Sequence, residues 1–203
     1  MTDLTWVRER LSKSPARSLE RGDHDLNPGF RPEGPLCPAA VLVGLVERPK
    51  GLNVLLTRRT DTLEHHPGQI SFPGGHIEPH DLGPVAAALR ETEEEIGLPA
   101  SHIDVVGHLD TYITRTGFSI TPVLALVRPP FELKLDPVEV AEVFEVPLAF
   151  FLDPANHFSH DRDFEGTKRS FYAMPYEGYY IWGATAGMLI NLYQTLVDAP
   201  RAS

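Results

Sequence analysis

Two continuous apolar stretches, residues 39–46 and 54–58, flank the turn Pro49-Lys50-Gly51 and predict a pair of strands. The first shows no polar alternation, so it is expected to be covered on both faces. Residues 69–72 predict a short strand leading into Gly74-Gly75. A helix follows over Pro84–Ile96, with Pro84 suited to its first turn and Gly97 to its C-terminal cap. Its small residues Ala86, Ala87 and Ala88 allow close approach to a sheet. Residues 105–114 and 118–127 predict a hairpin around Arg115-Thr116-Gly117. Residues 142–146 read as a short strand, followed by a helical turn through 147–152. A second hairpin is expected from 157–161 and 169–174, turning at Glu165-Gly166. The segment 182–197 reads as an amphipathic helix that can bury Met188, Leu189, Leu192 and Val197. Ahead of all this lie a short helix over 4–11 and a linker over 21–38, rich in Gly, Pro and Asp and read as extended or partly mobile. The chain therefore divides into an arm, 1–38, and a domain, 39–203. Strands mixed with two main helices predict an α/β (α+β) fold, an α/β/α sandwich around a mixed sheet.

The length of 203 residues, with 42% hydrophobic and 23% charged positions, suits one globular domain with a sizeable core. The polar residues 2–12 carry no secretion signal, and no stretch reads as a membrane span. A single cysteine, Cys37, fits a reducing cytoplasm and reads as a small apolar residue at a strand start rather than a nucleophile. The net charge of −10 argues against a nucleic-acid partner, because duplex phosphates demand a basic surface. It also means that an anionic small molecule needs bound cations and local arginines to reverse the field at its site.

The helix over Pro84–Ile96 carries Glu91, Glu93, Glu94 and Glu95. Positions 91, 94 and 95 fall on one helical face, where like charges repel by a few tenths of a kcal/mol per pair. A run of charge is usually only a solvated face. Several oxygen ligands on one face nevertheless suit a hard cation such as Mg²⁺. Glu93 points away and reads as a solvated charge.

With Gly75 before it, Arg90-Glu91 within it and Gly97-Leu98 closing it, this segment resembles the box that defines the Nudix family. That box runs from a glycine through a glutamate to Arg-Glu, an aliphatic residue, a spaced Glu-Glu, and a final Gly-aliphatic pair. Arg90, Glu91, Glu94, Glu95, Gly97 and Leu98 match, while Thr92 stands for the aliphatic residue. Asp81 stands for the first glutamate, and one extra residue precedes Arg90, an insertion that a loop absorbs at little entropic cost. The resemblance implies an α/β/α sandwich and hydrolysis of a nucleoside diphosphate derivative by water attack at phosphorus. It implies Mg²⁺ or Mn²⁺ held by Glu91 and Glu95 with Glu94 as a third ligand. Gly74 and Gly75 would let the chain approach the metal and substrate, and Arg90 would orient a glutamate. A general base from outside the box is expected within 137–145. Glu139 is favoured, Glu142 is an alternative, Glu145 is expected to face solvent, and Asp110 is a weaker candidate.

The upstream residues Leu55, Leu56, Thr57, Arg59, Gly68, Phe72, Pro73, Gly74 and Gly75 resemble the signature of coenzyme A pyrophosphatases within the family. Thr60 replaces its serine and Glu64 its second arginine, reversing a charge. Residues 117–123 and 180–187 are similar to the same subfamily. This resemblance implies cleavage of CoA and acyl-CoA to 3',5'-ADP and (acyl-)4'-phosphopantetheine, with Arg59, Arg58 and Arg115 meeting phosphate. His65 and His66 read as surface residues. Two rivals stay open: a Nudix hydrolase of ADP-ribose, a dinucleotide or a nucleotide sugar, and a non-catalytic nucleotide-binding module. A homodimer is compatible with the chain.

Overall fold

A computed structural model describes residues 4–13, 20–63, 65–164 and 166–197. The elements are α1 (Leu4–Lys13), β1 (Glu20–Gly22), β2 (Cys37–Arg48), β3 (Gly51–Arg59), β4 (Ile70–Ser71), β5 (Gly74–His76), α2 (Pro84–Ile96), β6 (Ile103–His108), β7 (Thr111–Ile113) and β8 (Phe118–Val127). The chain continues through β9 (Val140–Pro147), α3 (Leu148–Phe151), β10 (Phe158–Phe164), β11 (Thr167–Tyr176), β12 (Tyr179–Trp182) and α4 (Ala184–Leu196). Nine strands form one mixed sheet with the path β1-β7-β8-β2-β3-β4, while β5 pairs with β2, β6 with β8 and β9 with β3. The β2–β8 and β1–β7 pairs are parallel. A separate antiparallel sheet runs β10-β11-β12.

The unbroken apolar run of β2 follows from cover on both faces. Ala40 and Leu42 pack with Val123 and Ala125 of β8 against Ala87 and Ala88 of α2. Val43 and Leu45 face the other way, into a core shared with Leu124, Leu126, Val7 of α1, Phe151 of α3, and Leu189 and Leu192 of α4. Helices thus lie on both sides of the sheet, and the fold is the mixed α+β sandwich expected. The helix α2 begins with Pro84 and ends at Gly97, which takes φ 68° and returns its N–H to the Glu93 carbonyl.

Three expectations change. The linker is not extended throughout: after Glu20–Gly22 joins the sheet edge beside β7, Asp23–Asp25 turns as a short 3-10 helix. Asp23 then accepts hydrogen bonds from the Tyr112 hydroxyl and the Arg115 N–H, both at 2.8 Å. Backbone pairing and a polar anchor order this segment without any apolar pattern. The strand expected over 105–114 breaks at Leu109-Asp110 into β6 and β7. The start of the last helix moves to Ala184, because Tyr179–Trp182 pairs with β11 as a strand. Glu64, and Glu165 of the second hairpin turn, lie outside the described residues. Among the described residues, no helix is long and apolar enough to cross a membrane.

Candidate active site

Glycine is required where β5 meets α2. A Cβ on Gly75 would sit 2.6 Å from the Glu91 carboxyl carbon, so that carboxylate rests directly on the backbone. A Cβ on Gly74, whose φ is 149°, would sit 2.3 Å from the Ala40 carbonyl oxygen of β2. The Gly74 N–H donates to Glu95 at 3.2 Å. Along α2 the glutamates grade in exposure: Glu95 is buried, Glu91 half-buried, and Glu93 and Glu94 exposed. Thr92, in the place of an aliphatic residue, is buried and satisfies its hydroxyl on the Ala88 carbonyl at 2.6 Å.

Arg90 ties these groups together. Its Nε and Nη2 donate to the two oxygens of Asp81 at 3.1 and 3.0 Å, and Nη2 also reaches the His76 carbonyl at 3.1 Å. Its Nη1 donates to Glu91 and to Glu94, each at 2.9 Å. The Arg90 guanidinium holds the Asp81 carboxyl down to about 2. The shorter side chain at 81 and the extra loop residue thus still deliver a bidentate ion pair. In the sequence Asp81 is only a departure from the box glutamate, and its acid character is the available signal.

Burial pushes the Glu95 carboxyl up to about 8, opposed by the Gly74 hydrogen bond and Arg59, and reinforced by Glu139 and Glu91. Glu91 is raised too, first by burial and against the pull of Arg90. Two desolvated carboxylates within reach of a third, Glu139, make a site that a cation would relieve. The donor set, oxygen only, fits a hard divalent ion. Among the described residues, no three acidic, histidine or cysteine side chains already stand together as a finished cage. Glu91 and Glu95 face the glycine turn, while Glu94 stays at the surface on Arg90.

A raised carboxyl pKa favours the folded state below the unfolded value near 4.5, and that contribution is lost as pH climbs through about 8. Were Glu95 to hold a cation, the proton on it would compete with the metal over the same window. The apparent Mn²⁺ dissociation constant, read by calorimetry, is therefore expected to fall by up to about tenfold per pH unit from pH 6 to 8, then level off. A constant affinity across that range would show that Glu95 does not exchange a proton for the ion.

Beside this turn opens a cavity of about 460 Å³, lined by Gly74, Gly75, Arg59, Arg115, Phe171 and Trp182 among others. Three separate stretches converge on it: the β3–β5 segment, the start of β8 through Phe118 and Ile120, and the first turn of α4 through Gly183, Ala184 and Thr185. The α4 cap residue Gly183 makes no side-chain cap hydrogen bond. Arg59 Nε is buried without a hydrogen-bond partner among the described residues. The pairing with β9 slips at Arg58/Arg59, where a bulge redirects the side chains. Arg58 instead meets Glu142 at 3.4 Å and Asp61 at 3.8 Å and does not line the cavity. His66, read as a surface residue, lines the wall with φ 56°. Asp23 and Asn27 of the N-terminal segment also line it, as do Arg162 and Arg169. No sequence signal marked those four.

The acids around β9 separate clearly. Glu139 lies in the loop before β9, which Thr60 anchors by donating its hydroxyl to the Val138 carbonyl at 2.6 Å and its N–H to the Glu139 carbonyl at 3.0 Å. Glu142 accepts from Tyr179 at 2.6 Å besides Arg58. Glu145 does not face open solvent: Arg48 grips it through Nε at 3.0 Å and Asn53 donates at 3.0 Å, holding its carboxyl low despite burial. Asp110 lies 3.9 Å from Arg21, beside α4 rather than the box. Cys37 is the first residue of β2, 3.2 Å from His76 Nδ1.

A mixed sheet thus sets a glycine turn against an acidic helix, beside an arginine-bearing cavity, and its oxygen donors would suit a divalent cation. The NUDIX domain model matches residues 36–165. The chain is 39% identical over 162 residues to the Nudix hydrolase NudL of Cronobacter sakazakii, covering 80% of this chain and 84% of that protein. It is likewise 39% identical over 154 residues to NudL of Escherichia coli K12, covering 76% and 80%. Among solved structures, an Ap4A hydrolase of C. elegans aligns with TM-score 0.48 and 24% identity over 55% of this chain and 80% of that one. The chain belongs to the Nudix hydrolase family, whose members act on nucleoside diphosphate derivatives and generally use divalent cations.

Proposed function

We propose that this Nudix hydrolase cleaves the diphosphate of CoA and acyl-CoA, giving 3',5'-ADP and (acyl-)4'-phosphopantetheine, with Mg²⁺ or Mn²⁺. The observation that carries the reading is the convergence of the three CoA-pyrophosphatase-like stretches on one cavity, at the end of which Arg59 keeps a buried N–H without a partner. When bound, the cation neutralises the diphosphate and stabilises charge on the attacking and leaving oxygens. Glu91 and Glu95 would hold it from the helix face beside the glycine turn, with Glu94 as a third ligand. Arg90 acts as a positioning residue, fixing Glu91 and Glu94 through Nη1. Glu139, close enough to raise both Glu91 and Glu95, takes the proton of the attacking water. Arg59 donates to a phosphate oxygen that burial has stripped of water. Arg115 supports from the cavity wall, and Gly74 and Gly75 leave room for the diphosphate. Arg58, engaged by Glu142 and Asp61, belongs to the loop's support rather than to substrate.

Incubation with CoA, dephospho-CoA, ADP-ribose and NADH at saturating Mg²⁺, with products identified by mass, tests this directly. CoA is expected to yield 3',5'-ADP at the highest kcat/KM of the four. Faster turnover of ADP-ribose or NADH would move the substrate assignment, and binding without turnover at any metal concentration would remove the enzyme reading. Changing Glu64 to Arg in the same assay reads out what the reversed charge at that position does to CoA affinity.

A further inference from the structure

Arg162 and Arg169 are direct cross-strand partners in the β10–β11 ladder. Facing residues in such a pair project to the same side with Cβ atoms roughly 5 Å apart, and like charges there repel. Both line the cavity. The hairpin's acids lie on its other face: Asp161 accepts from Ser170 at 2.6 Å and Lys168 at 2.7 Å, and Asp163 accepts from the Gly166 N–H at 2.9 Å. Among the described residues, Arg162 forms no ion pair. The cavity-side neighbours along the strands are instead aromatic. Phe171 packs edge-on to Trp182 at 5.4 Å, and both rings line the same cavity. Arg169 lies 5.5 Å from the Phe30 ring, which keeps its cation over an apolar surface. In an acidic protein, two opposed guanidinium groups on an aromatic wall are placed for an anion that enters from the cavity.

We propose that Arg162 and Arg169 form a second anion subsite, which takes a phosphomonoester carried by the substrate apart from the diphosphate that is cut. The subsite rests on the reading of the cavity as the substrate pocket, and it names the substrate class more closely: a nucleoside diphosphate derivative bearing an extra phosphate on its ribose. The Phe171–Trp182 wall lies beside it to receive the base. The diphosphate meets Arg59 and the glycine turn, on the nine-stranded sheet; the extra phosphate meets the three-stranded sheet. One substrate therefore bridges the two sheets.

The test compares matched pairs that differ only by that phosphate: CoA with dephospho-CoA, and NADPH with NADH, for the wild type, Arg162→Gln, Arg162→Lys and Arg169→Gln. The wild type is expected to prefer the phosphorylated member of whichever pair it hydrolyses. Each Gln variant is expected to shrink that preference by about tenfold, through KM, as befits loss of one charge-assisted contact. Arg162→Lys keeps the exposed charge and is expected to restore most of it. Binding of 3',5'-ADP against 5'-AMP, by calorimetry, gives the same ratio without turnover. A preference for phosphate that survives both Gln changes would overturn the subsite, even with CoA as substrate. Hydrolysis confined to NADPH and NADH, with a preference that depends on Arg162, would overturn the CoA reading and keep the subsite. An equal affinity of the wild type for 3',5'-ADP and 5'-AMP would remove it altogether.

Discussion

Glu95→Gln is expected to lower turnover by roughly 10²- to 10³-fold while leaving the fold intact. Glutamine matches the shape of the side chain, and its amide oxygen can still accept from the Gly74 N–H. It removes a carboxylate that burial has already pushed up to about 8, so the metal-free variant is expected to melt no lower than the wild type at pH 8. The cation-induced rise in melting temperature should shrink sharply, because the buried carboxylate proposed to hold the ion is gone. Two measurements check this: kcat at saturating Mg²⁺, and melting with and without Mn²⁺. Wild-type turnover together with an unchanged metal-induced shift would sink the assignment of Glu95.

The adjacent glycines make the second large prediction, because the same added methyl meets different neighbours. On Gly75 it meets the far end of Glu91, at 2.6 to 2.7 Å, and a flexible side chain can move aside. Gly75→Ala is therefore expected to displace a metal ligand by an ångström or so, costing about 10²-fold in kcat, with a stability change within about 1 kcal/mol. On Gly74 it meets the Ala40 backbone, in a left-handed region of φ besides. Gly74→Ala is expected to lose about 2 kcal/mol or more along with activity, since β5 must part from β2. Urea unfolding alongside kcat separates the two. Equal destabilisation of both variants would mean that the turn gives way as a unit, against the geometry described.

Much of the fold was legible because local signals coincided with periodic ones. The helix α2 starts at a proline, ends at a left-handed glycine and carries alanines toward the sheet, so pattern, cap and packing agree. The two-faced burial of β2 was legible for the same reason. What failed to show was held by backbone alone. Glu20–Gly22 has no apolar residue and becomes a strand only because β7 offers its edge. Gly74–His76 pairs with β2 where glycine has no strand propensity. Tyr179–Trp182 is apolar enough to prolong a helix on paper, and Gly183, at φ 64°, divides strand from helix. In the site, the helical spacing placed Glu91 and Glu95 on the glycine turn, but it could not grade their burial. That grade shows only once the glycine turn is seated, with Gly75 against the Glu91 carboxyl and the Gly74 N–H on Glu95. Glu145 was misread for a related reason: its partner Arg48 lies far away in sequence and becomes a neighbour only when β3 pairs with β9 on one side and β2 on the other.

The parallel β2–β8 ladder carries a cost during synthesis. When β2 leaves the ribosome it can close a hairpin with β3 almost at once, yet its other edge must wait for β8, about 80 residues later. Through that interval a strongly apolar strand has an open edge, and its Val43/Leu45 face is not fully covered until α4, the last described element, arrives. Such a topology makes for slow folding and for a nascent chain prone to pair with the wrong strand.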